Sequence, residues 1–458
     1  MPDSNFSKRL ALLVALAGFM ELFDGTVIQT ALPRIGADLG VDAATASVAM
    51  AGYFGAVAAT IPVCGWLALR FGVRRTFTIG IVVFAVASLA AGMATTLGAL
   101  LALRLLQGVG GAMMLTIGQL AILRNAPKEM LLNVTAYLVW PALAAPVIAP
   151  VVGGIVTDSI GWRWLFFINV PIGILGAAMA LRLAPVRLAS EAKPKLDGIG
   201  AVLLALGLGL TIPTIELSSE HLSLLGGLAI GLGLLLCAAA VVWMLRTANP
   251  LLDLRAFSIP TFRVGNGVGA LYRLVVGTVP VMLTLLFQLH FGWSAAIAGA
   301  AVMFLFAGNL GAKPFANYSV RRWGFRAVIV GATLVGSATV GLAAALMPDT
   351  PFWAIGLLLF VSGSARSIGF TAYMSMQYAD VPKERMDSAG PLSNTTQQLS
   401  SALGIALFVG LLTWLLGAVS ASVAFGVVFT AMAAGLLATT AGVLGLGRGA
   451  AAHLMAQK

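Results

Sequence analysis

The chain has 458 residues, 60% of them apolar and only 9% charged, with a mean hydropathy of +0.99, too few charges for a water-soluble globule, where about 25% of residues are charged. Its 53 glycines and 19 prolines lie within mostly apolar sequence, which predicts an all-α polytopic membrane protein rather than a barrel, whose strands alternate polar and apolar. The net charge of +11 arises in short gaps between apolar segments, where basic residues set topology, so no nucleic-acid partner is implied. Cys64 and Cys237 sit in apolar runs and His221, His290 and His453 lie far apart; no disulfide framework, metal-ligand spacing or cofactor is expected.

Crossing about 30 Å of hydrocarbon takes about 20 apolar residues. Fourteen such segments fit in chain order: 10–33, 46–69, 76–95, 98–122, 134–157, 163–184, 198–215, 223–245, 262–289, 296–319, 327–347, 352–376, 391–415 and 421–446. The first carries Glu21 and Asp24 and lacks a small-residue cleavage site, so it is read as a retained helix, not a signal peptide. Of the 27 Lys and Arg, 21 fall in gaps on the side of the N-terminus, two (Arg34 and Arg163) on the other side, and four (Arg104, Arg273, Lys313 and Arg366) inside segments. That bias predicts both termini in the cytoplasm, with the bilayer as the protein's surroundings.

Ionisable groups in hydrocarbon cost about 2.5 to 3.5 kcal/mol each on insertion scales, so they persist where they face a cavity or a partner. The candidates are Glu21 and Asp24 in segment 1, Arg104 in segment 4, Arg273 in segment 9, Lys313 in segment 10 and Arg366 in segment 12. Taking a carboxylate out of water disfavours its charged form, which suits a proton carrier. Asp24 is the first choice, with Glu21 one turn earlier on the same face as its neighbour or tuner. Softer candidates for a binding pocket are Tyr53, Gln107, Met113, Met114, Trp140, Tyr272, Gln288, Asn309, Tyr373 and Gln377, each of which ordinary packing would also explain. Pro141, Pro146 and Pro150, followed by Gly153 and Gly154, predict a bent, closely packed fifth helix.

The gap after segment 2 contains Arg70, Phe71, Gly72, Val73 and Arg74, and the gap after segment 10 contains Arg322, Trp323, Gly324, Phe325 and Arg326, 252 residues on. The recurrence predicts duplicated halves, as in many secondary transporters. Six helices, two inserted helices and six more make the simplest organisation: residues 1–190, 191–250 and 251–458.

Together with this repeat, several stretches resemble the major facilitator superfamily over nearly the whole chain, and within it the fourteen-helix drug:H+ antiporters of the EmrB/QacA type, nearest to the MdtD/HsrA-like subgroup. LFDGTVIQTALP in segment 1 is similar to the family's acidic motif, LRLLQGVGGAM (Arg104, Gln107, Gly108, Gly111) to its arginine motif, and APVVGG (Pro150, Gly153, Gly154) to its antiporter motif. WRWLFFINVPIG, KPKLDGIGAVLLALGLG and NPLLDLRAF look like this branch in particular, and Gly65, Arg70, Gly72 and Arg74 match the loop motif. Leu69 stands where that loop motif has an acid, and Ala149 where the antiporter motif has Gly.

The resemblance implies a major facilitator fold in a cytoplasmic membrane, a monomer working by alternating access, with Arg104 as the changing partner of Asp24. It also implies that segments 1, 4, 9 and 12 line a central chamber into which five of the six charges point. The expected activity is proton-coupled export of small organic compounds, with no covalent chemistry. Arg273, Lys313 and Arg366, three cations without an acid, favour an organic anion such as a carboxylate as an alternative substrate. A membrane enzyme or a sensor is the rival class, although no Ser/His/Asp or Cys/His set can be assembled.

Overall fold

The computed structural model describes residues 4–125, 131–183, 195–217, 223–382 and 385–445, with backbone alone for 4–9, 123–125, 131–143, 183 and 387. Among the described residues no strand occurs and the chain is helical almost throughout, as a lipid setting requires when every backbone polar group must be satisfied within its own segment. Helix α1 is Ser4–Val27, α2 Val48–Phe71, α3 Val73–Gly92, α4 Leu97–Asn125, α5 Leu131–Ser159, α6 Asn169–Leu183, α7 Gly198–Leu217 and α8 Leu224–Arg246. Then come α9 Gly269–Leu285, α10 Ala295–Gly311, α11 Lys313–Ala343, α12 Phe352–Tyr378, α13 Met386–Leu416 and α14 Ala421–Leu444. Twelve described helical stretches are long and apolar enough to cross a membrane, and two shorter apolar ones, Ala144–Ser159 and Ala295–Gly311, complete the set.

Two boundaries differ from expectation. The first crossing continues through a 3-10 turn, Ile28–Ala31, into a further helix Leu32–Leu39, because Pro33 stands in a first turn where its missing N–H costs nothing. Segments 10 and 11 meet inside α11, whose first part ends one crossing and whose second part starts the next, with Gly324 as the break.

In the first half, α4 packs on α2 and α3, α1 on α5 and α6, and α3 on α6; in the second, α12 packs on α10 and α11, α9 on α13, and α14 on α11 and α9. The halves meet where α5 lies on α10 and α13 on α2. The duplication is visible in the backbone. Gly72 (φ 85, ψ 148) and Gly324 (φ 78, ψ 161) share a conformation that side chains other than hydrogen rarely adopt. Gly40 (φ 71) and Gly292 (φ 70) repeat the same 252-residue spacing one turn earlier in each half.

The end of the bundle carrying the N-terminus and these arginine turns is the basic end; the opposite one is the far end. Among the described residues, the hydrogen bonds between the halves lie at the far end. The Asp158 carboxylate accepts from the Ala296 N–H at 2.8 Å, and Gln288 Nε2 donates to the Thr30 carbonyl at 2.9 Å. A Cβ on Gly154 would strike the Ala295 carbonyl, and one on Gly299 the Pro150 carbonyl. One apolar core joins both halves there, whereas the basic-end part of the first half has a core of its own, from Leu10 to Ala180. The fifth helix continues unbroken through Pro146 and Pro150, so the expected bend is not a break in the helix; the Pro141 and Trp140 side chains lie outside the described residues. Ala149 is fully buried, in keeping with a small residue at a close crossing.

The inserted pair is firmly placed. Asp197 caps α7 by accepting from Gly200 N at 2.9 Å, and also accepts from Trp243 Nε1 of α8 at 2.8 Å and Leu251 N at 3.1 Å. One carboxylate thus ties together the two branch stretches that begin at Lys193 and Asn249. Helix α7 lies against both α2 and α13, and its buried Glu216 accepts a hydrogen bond from Ser47 just before α2.

Candidate functional site

Asp24 sits on α1 at 1% exposure, with Arg104 and Gln107 of α4 and Asn169 of α6 at 0%. Residues 104 and 107 are one turn apart and so share a face of α4. Arg104 Nη1 donates to Asp24 Oδ2 at 2.5 Å and to Gln107 Oε1 at 2.7 Å. Gln107 Nε2 donates to Asp24 Oδ1 at 2.9 Å, and Asn169 Nδ2 donates to the same oxygen at 2.7 Å. Both carboxylate oxygens are therefore engaged, one by charge and one by two amides. Asn169 Nδ2 also donates to Ser88 Oγ at 3.0 Å, and that hydroxyl donates to the Phe166 carbonyl at 2.9 Å, which anchors the amide from α3. The Arg104 guanidinium lies 4.3 Å from the Tyr53 ring centre, a cation–π contact that helps keep an arginine inside the bundle.

Glu21 is as deeply buried but weakly held. Tyr53 OH reaches its Oε1 at 3.4 Å, and its Oε2 has no hydrogen-bond partner. Gly111 makes room for this pair, since a Cβ there would come within 2.9 Å of the Tyr53 hydroxyl and 3.5 Å of Glu21 Cγ. Glu21, Tyr53, Arg104 and Asp24 thus form a continuous polar strand through the first half.

The second half holds the cations. Arg273 reaches back two turns along its own helix, and its Nη1 and Nη2 donate to the Gly265 and Asn266 carbonyls, each at 3.3 Å. Those carbonyls belong to a π-turn, Val264–Val268, whose wider winding turns backbone acceptors aside. Tyr272 donates to the Arg366 carbonyl at 3.2 Å and its ring lies 5.0 Å from Tyr373. Lys313 Nζ lies 3.4 Å from Thr371 Oγ1. Arg273 Nε and Arg366 Nη1 have no hydrogen-bond partner, and no carboxylate lies within 4.0 Å of any of the three cations among the described residues.

The charges fall into two groups, one per half, and Asp24 and Arg104 are buried among α1, α4 and α6. Two substrate candidates have contacts within the first half. Gln107 spends its amide on Asp24 and Arg104. Met113 faces α3, its Cβ lying where a Cβ on Gly80 would come within 2.9 Å. Met114 is buried in the first-half core, Gln377 packs against Gly265, Gln288 joins the far-end contact, and Asn309 is half-buried.

The motif residues of the turns lie at the basic end, with Arg70 and Arg322 exposed and Arg74 and Arg326 half-buried. Gly65 differs from Gly72 and Gly324 in lacking a positive φ, and a Cβ on it would meet nothing within 4 Å. Leu69 packs against the first-half core where the loop pattern has an acid. Gly153 is needed for space, a Cβ there coming within 2.8 Å of Val27.

Sequence reasoning missed Asn169, Ser88 and Glu216. The signal was present, a polar side chain within an apolar segment, but it belonged to residues less conspicuous than an intramembrane arginine.

The family described as Major Facilitator Superfamily matches over residues 14–405. The protein named for multidrug resistance, MdtD, of Cronobacter sakazakii is 32% identical over 397 residues, covering 86% of this chain and 84% of that protein. Its namesake in Escherichia fergusonii is 32% identical over 428 residues, covering 92% and 90%. Among solved structures, the nucleoside transporter NupG aligns with a TM-score of 0.67 at 15% identity over 95% of this chain and 99% of that one. A D-xylose-proton symporter aligns with a TM-score of 0.65 at 15% identity over 96% and 99%, and at such identities these two likenesses concern the fold alone.

Proposed function

The chain belongs to the major facilitator superfamily, and from that premise we propose that it is a secondary transporter of the multidrug-efflux type, exporting small organic compounds in exchange for protons. The observation that carries this reading is the buried carboxylate pair: Asp24 gripped by Arg104, Gln107 and Asn169, with Glu21 beside it and one oxygen unpartnered. A proton arriving on Asp24 removes the charge that holds Arg104. The released guanidinium remains positive, since arginine does not lose its proton in proteins, and its search for a new partner biases α4 against α1 and α6. A proton step thereby becomes a helix movement, which alternating access needs.

The contacts across the halves at the far end support an assignment to the inward-open arrangement, with the basic end in the cytoplasm and the membrane being the cytoplasmic one. In this assignment 1–190 and 251–458 rock against each other, 191–250 rides on the seam, and a single copy suffices. The carrier performs no covalent chemistry.

A second reading of the substrate follows from the other half. Arg273, Lys313 and Arg366 have no carboxylate partner among the described residues and suit a carboxylate or another organic anion better than a permanent cation. The test is proton movement in inside-out vesicles holding a pH gradient, with a panel of organic anions against a panel of lipophilic cations, for wild type and Asp24→Asn. Collapse of the gradient by members of either panel, lost in the variant, supports proton-coupled export and identifies the substrate sign. Equal collapse in both proteins removes Asp24 from the mechanism.

A further inference from the structure

On the outer surface of the second half, between α11 and α12, runs a groove of about 360 Å³. Trp323 stands at its basic-end rim, Ala327, Gly331 and Val335 form one wall, and Ser364 and Ala365 stand on the other. It is not part of the charge clusters already described. Trp323, Gly331 and Val335 are exposed at the side of the bundle, where lipid and not water lies. From Ala327 to Val335 the wall rises about 12 Å at 1.5 Å per residue, most of the about 15 Å depth of one leaflet's hydrocarbon. Small residues along the wall leave a trough of the width an extended alkyl chain fills.

The rim has a pronounced charge. Arg321, Arg322 and Arg326 flank Trp323 on the same turn, and none of the three pairs with an acid among the described residues. Gly324, with a φ of 78°, breaks the helix between Arg322 and Arg326. Trp323 is 63% exposed, and an amphipathic ring of this kind prefers the membrane interface. An apolar trough one leaflet deep, capped by unpaired cations and an interfacial tryptophan, complements an anionic headgroup joined to an acyl chain.

We propose that this groove is a binding site for one anionic phospholipid of the basic-side leaflet, its phosphate held by Arg321, Arg322 and Arg326 and one acyl chain lying between α11 and α12. The site couples the lipid to the turn that ends one crossing and begins the next, so headgroup charge bears on a moving part of the carrier.

Trp323 supplies the probe. The protein is reconstituted with chain-brominated phosphatidylglycerol or chain-brominated phosphatidylcholine, and the Trp323 contribution is isolated as the difference in emission between wild type and Trp323→Phe. The expected result is half-quenching at a severalfold lower mole fraction of the brominated phosphatidylglycerol. Each of Arg321→Gln, Arg322→Gln and Arg326→Gln should raise that fraction, by up to about fivefold for a cation near the surface. Gly331→Leu should block quenching by filling the groove; a Cβ at Gly331 meets nothing within 4 Å, so the core is undisturbed. Equal quenching by the two lipids, unchanged quenching in Gly331→Leu, or displacement of the brominated lipid by a transported compound would each overturn the proposal, the last by making the groove a path for substrate.

Discussion

Asp24→Asn should damage the fold more than Arg104→Gln, although the two residues are partners. The pair is buried, at 1% and 0% exposure, and joined at 2.5 Å. Removing one partner of such a pair typically costs about 3 to 5 kcal/mol because the remaining charge is stranded. In Asp24→Asn the stranded group is a guanidinium that cannot discharge itself. Its remaining contacts, Gln107 Oε1 at 2.7 Å, the Ala49 carbonyl at 3.4 Å and the Tyr53 ring, are already made in the wild type and offset none of the loss. In Arg104→Gln the stranded group is a carboxyl that can take a proton, so the cost should fall to about 1 to 3 kcal/mol, that of an imperfectly satisfied polar group. The double variant strands no charge and should recover at least about 2 kcal/mol relative to the sum of the singles. Reversible unfolding in mixed micelles, read as a double-mutant cycle, measures all three. Additivity within about 0.5 kcal/mol, or equal costs for the two singles, would refute the pairing argument.

Asn169→Ala should cost about 1 to 3 kcal/mol by removing one of the amide donors to Asp24, and should alter the pH profile of transport without changing selectivity among substrates; an unaltered profile would reduce Asn169 to packing. Gly324→Ala and Gly72→Ala should each destabilise by about 1 to 3 kcal/mol through backbone strain, whereas Gly65→Ala, with open space at its Cβ, should be neutral or mildly stabilising in a melt of the three variants side by side. Gly154→Val should push α5 off α10 at the far end. A cysteine replacing Ala296 should then react faster with an impermeant thiol reagent than in an otherwise wild-type background, and an unchanged rate would show that the closed end does not depend on this contact.

Much of the architecture was legible because lipid imposes a simple grammar. Apolar length set the crossings and the arginine turns set the repeat, down to the left-handed glycines at 72 and 324. Asp24 and Arg104 stood out as charges in hydrocarbon, and their pairing was legible through the resemblance of the two motifs that carry them. What could not be read was direction. Position along a helix does not reveal which neighbour a side chain meets, so neither the Gln107 bond to Asp24 nor the Met113 contact with α3 was readable beforehand. Asn169 was hidden because an amide carries no charge to draw attention. The part played by Asp197 required three separate stretches of chain to be seen together.

The twin glycine pairs allow the two halves to be superposed rung by rung. At the offset that carries Gly40 onto Gly292 and Gly72 onto Gly324, Glu21 falls on Arg273. Both residues are 3% exposed, on the first helix of their respective halves. Equivalent places on the first helices of the two halves thus carry opposite charges, a carboxylate in one and a guanidinium in the other. Any movement shared by the two halves therefore carries a negative group on one side of the seam and a positive group on the other, so a repeat in shape is not a repeat in charge.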